Sequence, residues 1–83
     1  MGVSFLDIDI NQAYLIIGKN VKKYRMQKGM SQWTLATEMG YESVSIVSMS
    51  EVCSRNKHFN IEHLIKISKI LEVDIEHFFK GVF

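Results

Sequence analysis

The chain has no proline and only one cysteine, and no apolar run approaches the ~18 residues a membrane-crossing helix needs. Without proline nothing breaks a helix from within, so glycine must carry the punctuation. The lone Cys53 excludes an internal disulfide and cannot build a metal site alone, which makes a reducing cytoplasm the expected compartment. The opening Met1-Gly2-Val3-Ser4-Phe5 has no basic stretch ahead of an apolar core, so no secretory signal is expected. Leu6 stands where a myristoylation motif needs Ser or Thr. Glycine-rich phosphate loops, GxGxxG and a GxSxG nucleophile elbow are all missing. The three histidines, His58, His63 and His77, fall at no metal-ligand spacing with Cys53 or a carboxylate and are expected on the surface. No catalytic residue, no metal and no small-molecule cofactor is therefore expected, and an enzyme is excluded.

What is present is a single small domain of 83 residues, 47% hydrophobic, ample for one compact core. The net charge of +1 conceals a pattern. Residues 16–30 carry Lys19, Lys22, Lys23, Arg25 and Lys28 and no carboxylate. Residues 31–52 carry only Glu38, Glu42 and Glu51, and residues 53–60 carry Arg55 and Lys57. Two basic blocks flank an acidic middle. Such blocks are either solvated helix surface or a footprint on phosphates, since local positive fields drive most non-specific affinity for nucleic acid.

Helical spacing dominates the chain. Asn11 is placed to cap a helix starting near Gln12, whose apolar stripe is Tyr14, Ile17, Val21 and Tyr24; Lys19, Lys22, Lys23 and Met26 fall on the other side. Gly29 stops it, with Lys28 in the last turn where a cation suits the dipole. Ser31 caps a second helix, about 32–39, that turns Leu35, Ala36 and Met39 inward. Gly40 then makes a tight turn. A third helix, about 43–52, is capped by Glu42 or Ser43 and buries Ile46 and Met49. Residues 53–59 read as an exposed basic loop. Asn60 caps a fourth helix through Leu71, with Leu64, Ile67, Ser68 and Leu71 inward, and Asp74 caps a last short helix with Ile75, Phe78 and Phe79, stopped at Gly81. Phe78, Phe79 and Phe83 are either core or the edge of a dimer interface. Residues 1–11 form an arm in which Leu6, Ile8 and Ile10 alternate with Asp7 and Asp9, the period of a half-buried strand. Such a strand would pair with a second copy or remain a loose arm. The expected architecture is all-α: five helices over residues 12–80, with the second and third laid out as a helix-turn-helix, behind this arm.

From Ile17 to Phe79, about three quarters of the chain, the sequence resembles the phage-repressor and Cro-like helix-turn-helix family, also called the xenobiotic-response-element family. The resemblance rests on an ordered set: Ile17-Gly18, Val21, Arg25, Gly29, Ser31-Gln32, Leu35-Ala36, Gly40, Ile46, Met49, Leu64, Ile67, Leu71, Val73 and Phe78. It implies a dimeric, repressor-like bacterial or phage regulator of transcription whose third helix lies in the major groove of double-stranded DNA. By position it implies that Gln32, helped by free backbone amides, bonds a phosphate, and that Ser43, Val44, Val47 and Ser48 face the bases. Arg55 and Lys57, with His58 beside them, would touch phosphate from the following loop, and Lys19, Lys22 and Lys23 from the first helix. Arg25 would pair with the glutamate that closes the third helix.

The sequence departs from that pattern in three places. The third helix has no Arg, Lys, Gln or Asn, the side chains that make bidentate base contacts. Ser43, Ser45 and Ser48 reach bases but discriminate poorly, and Val44 and Val47 meet at most thymine methyls. Ser50 stands where the closing glutamate belongs, and Glu51 follows one place later, about 100° round the helix. The loop after the third helix is about two residues longer than the family's usual one. These departures leave an alternative: a protein-interaction module on the same fold, an antitoxin or adaptor, that uses Val44 and Val47 as its contact face. Trp33, early in the second helix, is expected to pack on Tyr41 or the arm, the other option being a place against a sugar-phosphate backbone.

Overall fold

The computed structural model describes residues 9–83, and every regular element among them is helical. Four α-helices follow one another: α1 (Ile10–Gln27), α2 (Gln32–Glu38), α3 (Ser45–Ser50) and α4 (Ile61–Leu71). Short 3-10 segments occupy Ser54–Asn56 and Ile75–Phe79, and the second of these stands where a fifth helix was expected. Most of the anticipated N-terminal strand, and the pairing proposed for it, lies outside the described residues. At their edge α1 begins at Ile10, two places early, because Asp9 rather than Asn11 is the cap: its carboxylate accepts the Gln12 amide at 3.1 Å.

The helix ends follow from local chemistry. Ser31 Oγ accepts the Thr34 amide at 3.0 Å at the start of α2. Past its end Gly40 takes φ +94°, so that the Tyr41 amide reaches back to the Ala36 carbonyl at 2.9 Å, a closure that favours a residue without Cβ. The same closure ends α4, where Glu72 adopts φ 58° and the Val73 amide meets the Ser68 carbonyl at 3.1 Å. Glu72 also pairs with Lys28, which holds its carboxyl below the usual range, chiefly through their hydrogen bond.

Asn60 starts α4 with a reciprocal cap. Its side chain accepts the His63 amide at 2.8 Å, and its own amide donates to His63 Nδ1 at 3.0 Å. His63 is therefore not a surface histidine. The cap turns its ring back over the helix start, where it is 7% exposed, and Nε2 lies 3.1 Å from the Tyr41 hydroxyl. Burial is the main reason its pKa falls below the ordinary histidine value.

The core is assembled from every helix. Val21 of α1, Leu35 and Ala36 of α2, Val47 of α3, Ile67 of α4 and Phe78 of the last segment are all fully buried. Phe59, which was placed in an exposed loop, is 2% exposed and pins that loop to the core, while His58 stacks on Tyr14 with ring centroids 3.6 Å apart. Asn20 ties α1 to the C-terminal segment by donating to the Phe78 and Lys80 carbonyls, both at 2.9 Å. Phe78 is thus core, whereas Phe83 is 95% exposed.

Candidate nucleic-acid interface

The α2–turn–α3 unit is held from three sides. From within, Leu35, Ala36 and Val47 meet in the core. From one flank, α1 approaches so closely that a Cβ built on Gly18 would lie 2.6 Å from the Glu51 carbonyl oxygen and 2.7 Å from that of Ser50. From the other, the Tyr41–His63 contact ties the turn to the start of α4.

A buried polar network fixes the end of α3. Arg25 Nε donates to Glu51 Oε2 at 2.7 Å, and Arg25 Nη2 donates to Oε1 at 3.1 Å. Arg25 Nη1 donates to the Met30 carbonyl at 2.8 Å. The two side chains are 9% and 0% exposed. Glu51 rather than Ser50 meets Arg25, and helical geometry runs unbroken through it, with the Glu51 amide donating to the Val47 carbonyl at 3.0 Å. α3 ends at Ser50, and Glu51 serves as its C-cap with φ −63° and ψ −29°, its carboxylate turned inward on Arg25. Ser50 is buried in the glutamate's customary place, and its hydroxyl has no partner among the described residues.

The base-facing set needs one correction. Val47 is completely buried, so it belongs to the core and not to the outward face of α3. The inward face of α3 is one position on from the one expected: Val47 and Ser50 are buried, while Ile46 and Met49 are half-buried. The first residue of the helix is Ser45, and Val44 precedes it as a cap residue with no side-chain bond. Ser43 lies outside the helix, where its hydroxyl accepts the Ser45 amide at 3.1 Å and pairs with Ser45 Oγ at 2.9 Å. The outward face consists of exposed Ser43, Ser45 and Val52, with Val44 and Ser48 half-buried. Val52, 57% exposed, is an apolar group that the sequence reading did not single out.

Cations border this face at both ends. Lys57 shares a concavity of about 190 Å³ with Tyr41, Ser43, Ser45, Ile46 and Met49. Lys19 and Lys22 line another of about 300 Å³ with Leu15, Ile16 and Val52. Lys23 lies 5.4 Å from the centre of the Tyr24 ring and lines neither concavity; the same is true of exposed Arg55, which sits in a left-handed turn at φ 53°. Gln32 is half-buried and donates through Nε2 to Glu51 Oε1 at 2.9 Å. Trp33 does not pack on Tyr41: it is 57% exposed, and the Tyr41 ring faces His63 instead, with centroids 5.9 Å apart. No cluster of three or more His, Cys, Asp or Glu able to hold a metal occurs among the described residues.

The family model described as helix-turn-helix matches residues 21–78. The chain belongs to this family. Two solved structures are similar throughout the domain. The restriction-modification controller protein C.AhdI from Aeromonas hydrophila superposes with a TM-score of 0.69 at 26% identity, over 80% of this chain and 96% of that one. The N-terminal DNA binding domain of SinR from Bacillus subtilis gives 0.61 at 32% identity, over 76% and 88%. No curated protein matches.

Proposed function

We propose that this helix-turn-helix protein acts as a homodimeric, repressor-like regulator in the cytoplasm and sets α3 into the major groove. The chain is a DNA-binding transcription regulator and not an enzyme. The observation that carries the proposal is the frame around α3: an exposed Ser43–Ser45 edge beside Lys57 at one end, and Lys19 and Lys22 beside Val52 at the other. Lysines so spaced neutralise phosphates on either side of a groove, which supplies affinity without reading sequence. Serine hydroxyls and Val44 leave base discrimination weak, so the shape and deformability of the site carry part of the specificity. One such unit reads a short half-site, and two copies supply the second. A controller role like that of C.AhdI is the narrower form of the same reading.

The rival role, a protein-interaction module, rested on Val44 and Val47 as a paired apolar face. With Val47 in the core that face loses half its substance. Gel retardation of genomic fragments in ~50 mM salt tests the DNA reading, because even non-specific binders associate there. Retardation by micromolar protein is expected. Its absence with every fragment would sink the proposal.

A further inference from the structure

Gln32 and Glu51 belong to different helices and meet at one point. Glu51 Oε1 accepts from Arg25 Nη2 at 3.1 Å and from Gln32 Nε2 at 2.9 Å, while Oε2 takes Arg25 Nε at 2.7 Å. The carboxylate is buried and accepts only, so it can face the nitrogen end of the Gln32 amide and not the oxygen end. Arg25, itself fixed through the Met30 carbonyl, neutralises that carboxylate and holds it still. The Gln32 head group is therefore locked about its last torsion. One Nε2–H is consumed, and the second makes no bond among the described residues.

A phosphate oxygen is also purely an acceptor. A freely turning glutamine presents its carbonyl as often as its amide nitrogen, and the carbonyl repels phosphate. We propose that Glu51 is a positioning residue for DNA binding: it fixes the Gln32 amide in one orientation and leaves its second Nε2–H as the donor to a backbone phosphate. Arg25 is the counter-charge that lets a buried carboxylate do this at the protein–DNA boundary. This deepens the DNA-binding reading and rests on it.

The test uses the full chain and a 20-base-pair duplex in ~50 mM salt, with fluorescence anisotropy as readout. Gln32→Met keeps the length and removes the donor, and about a tenfold loss of affinity is expected for one hydrogen bond to a charged acceptor. Glu51→Asp keeps the charge on Arg25 but withdraws the carboxylate from Gln32. In that background Gln32→Met should cost under about twofold, since the amide is no longer oriented. Equal losses in both backgrounds overturn the positioning role while leaving DNA binding intact. If Glu51→Asp does not fold, side-chain amide NMR of the unmodified protein decides. A locked Gln32 shows one Nε2 proton protected from exchange and shifted from its partner, and two rapidly exchanging protons at free-amide positions overturn the proposal. Failure of the unmodified protein to bind the duplex, with Gln32 locked, rejects the DNA reading instead.

Discussion

Arg25 and Glu51 form a bidentate pair across 26 residues of sequence, with Nε–Oε2 at 2.7 Å and Nη2–Oε1 at 3.1 Å, in a place almost closed to water. The pair joins the last turn of α1 to the end of α3 and so sets the height at which α3 stands. Removing one partner of a buried pair leaves the other charge uncompensated, at a cost of about 3–5 kcal/mol. Glu51→Ala should therefore lose most of the stability of a domain this small. Urea denaturation followed by circular dichroism measures the loss, and a drop below about 1 kcal/mol would show that water reaches Arg25.

Gly18 makes the same junction possible from the other side. A methyl group there would overlap the Ser50 and Glu51 carbonyl oxygens, both backbone atoms that cannot swing away. Alanine is intrinsically the better helix former by about 1 kcal/mol, so propensity alone predicts that Gly18→Ala stabilises α1. The overlap is the larger effect: forcing extra volume into a packed contact costs about 1–3 kcal/mol. A lowered thermal midpoint for Gly18→Ala, with the helix content of the folded state unchanged, is the expected result. A raised midpoint would mean that α1 and α3 are further apart than described.

The phosphate role assigned to lysines rests on where they stand relative to α3. Lys19 and Lys22 line a concavity with Val52, and Lys57 lines one with Ser43 and Ser45, whereas Lys23 lies over the Tyr24 ring. Each alanine substitution at the first three positions should weaken binding to any duplex and lower the slope of log K against log salt by about 1. Lys23→Ala should leave the slope unchanged. Anisotropy titrations from ~50 to ~200 mM salt would separate the two groups, and four equal slopes would refute the assignment.

Much of this was legible in the sequence, for identifiable reasons. Ser31, Gly40 and Asn60 act within a few residues, so their roles as caps and turn could be read locally. The inward face of α3 could not be read that way. It depends on what α3 packs against, Gly18 of α1 at its end and Leu35 and Ala36 of α2 in the core, which are contacts between residues far apart in the chain. Val47 faces inward, and the outward set loses one of its four members. His63 was misplaced for a related reason. A histidine at the third position of a helix looks exposed by periodicity, and only the reciprocal bond to Asn60 and the Tyr41 hydroxyl draw it in.

Val47 therefore has a test of its own. If it belongs to the core, Val47→Ala removes two buried methyl groups and should cost about 1–3 kcal/mol in stability. DNA affinity, measured well below the denaturation midpoint, should change less than about twofold, with an unaltered salt slope. If Val47 touched bases, stability would hold and affinity for the preferred site would fall instead.

The last prediction concerns pH. The Asn60 amide donates to His63 Nδ1, so that nitrogen must carry a lone pair and the ring proton sits on Nε2, facing the Tyr41 hydroxyl. Protonating Nδ1 destroys the cap bond and places a charge in a site only 7% exposed. Burial is the largest cause of the lowered pKa; Lys66 and His58 act in the same direction and Glu62 opposes them. With the folded value below the unfolded one, the unfolded chain takes up its proton first as pH falls. The contribution of neutral His63 is thus complete above the unfolded value of about 6.5, and it is lost as pH drops from there toward the folded value. Glutamine also suits the third position of a capping box but does not titrate. His63→Gln should flatten the stability profile between about pH 7.5 and 5.5, where the unmodified protein declines. Urea midpoints at three pH values would show it, and parallel declines in the two proteins would assign the titration to other groups.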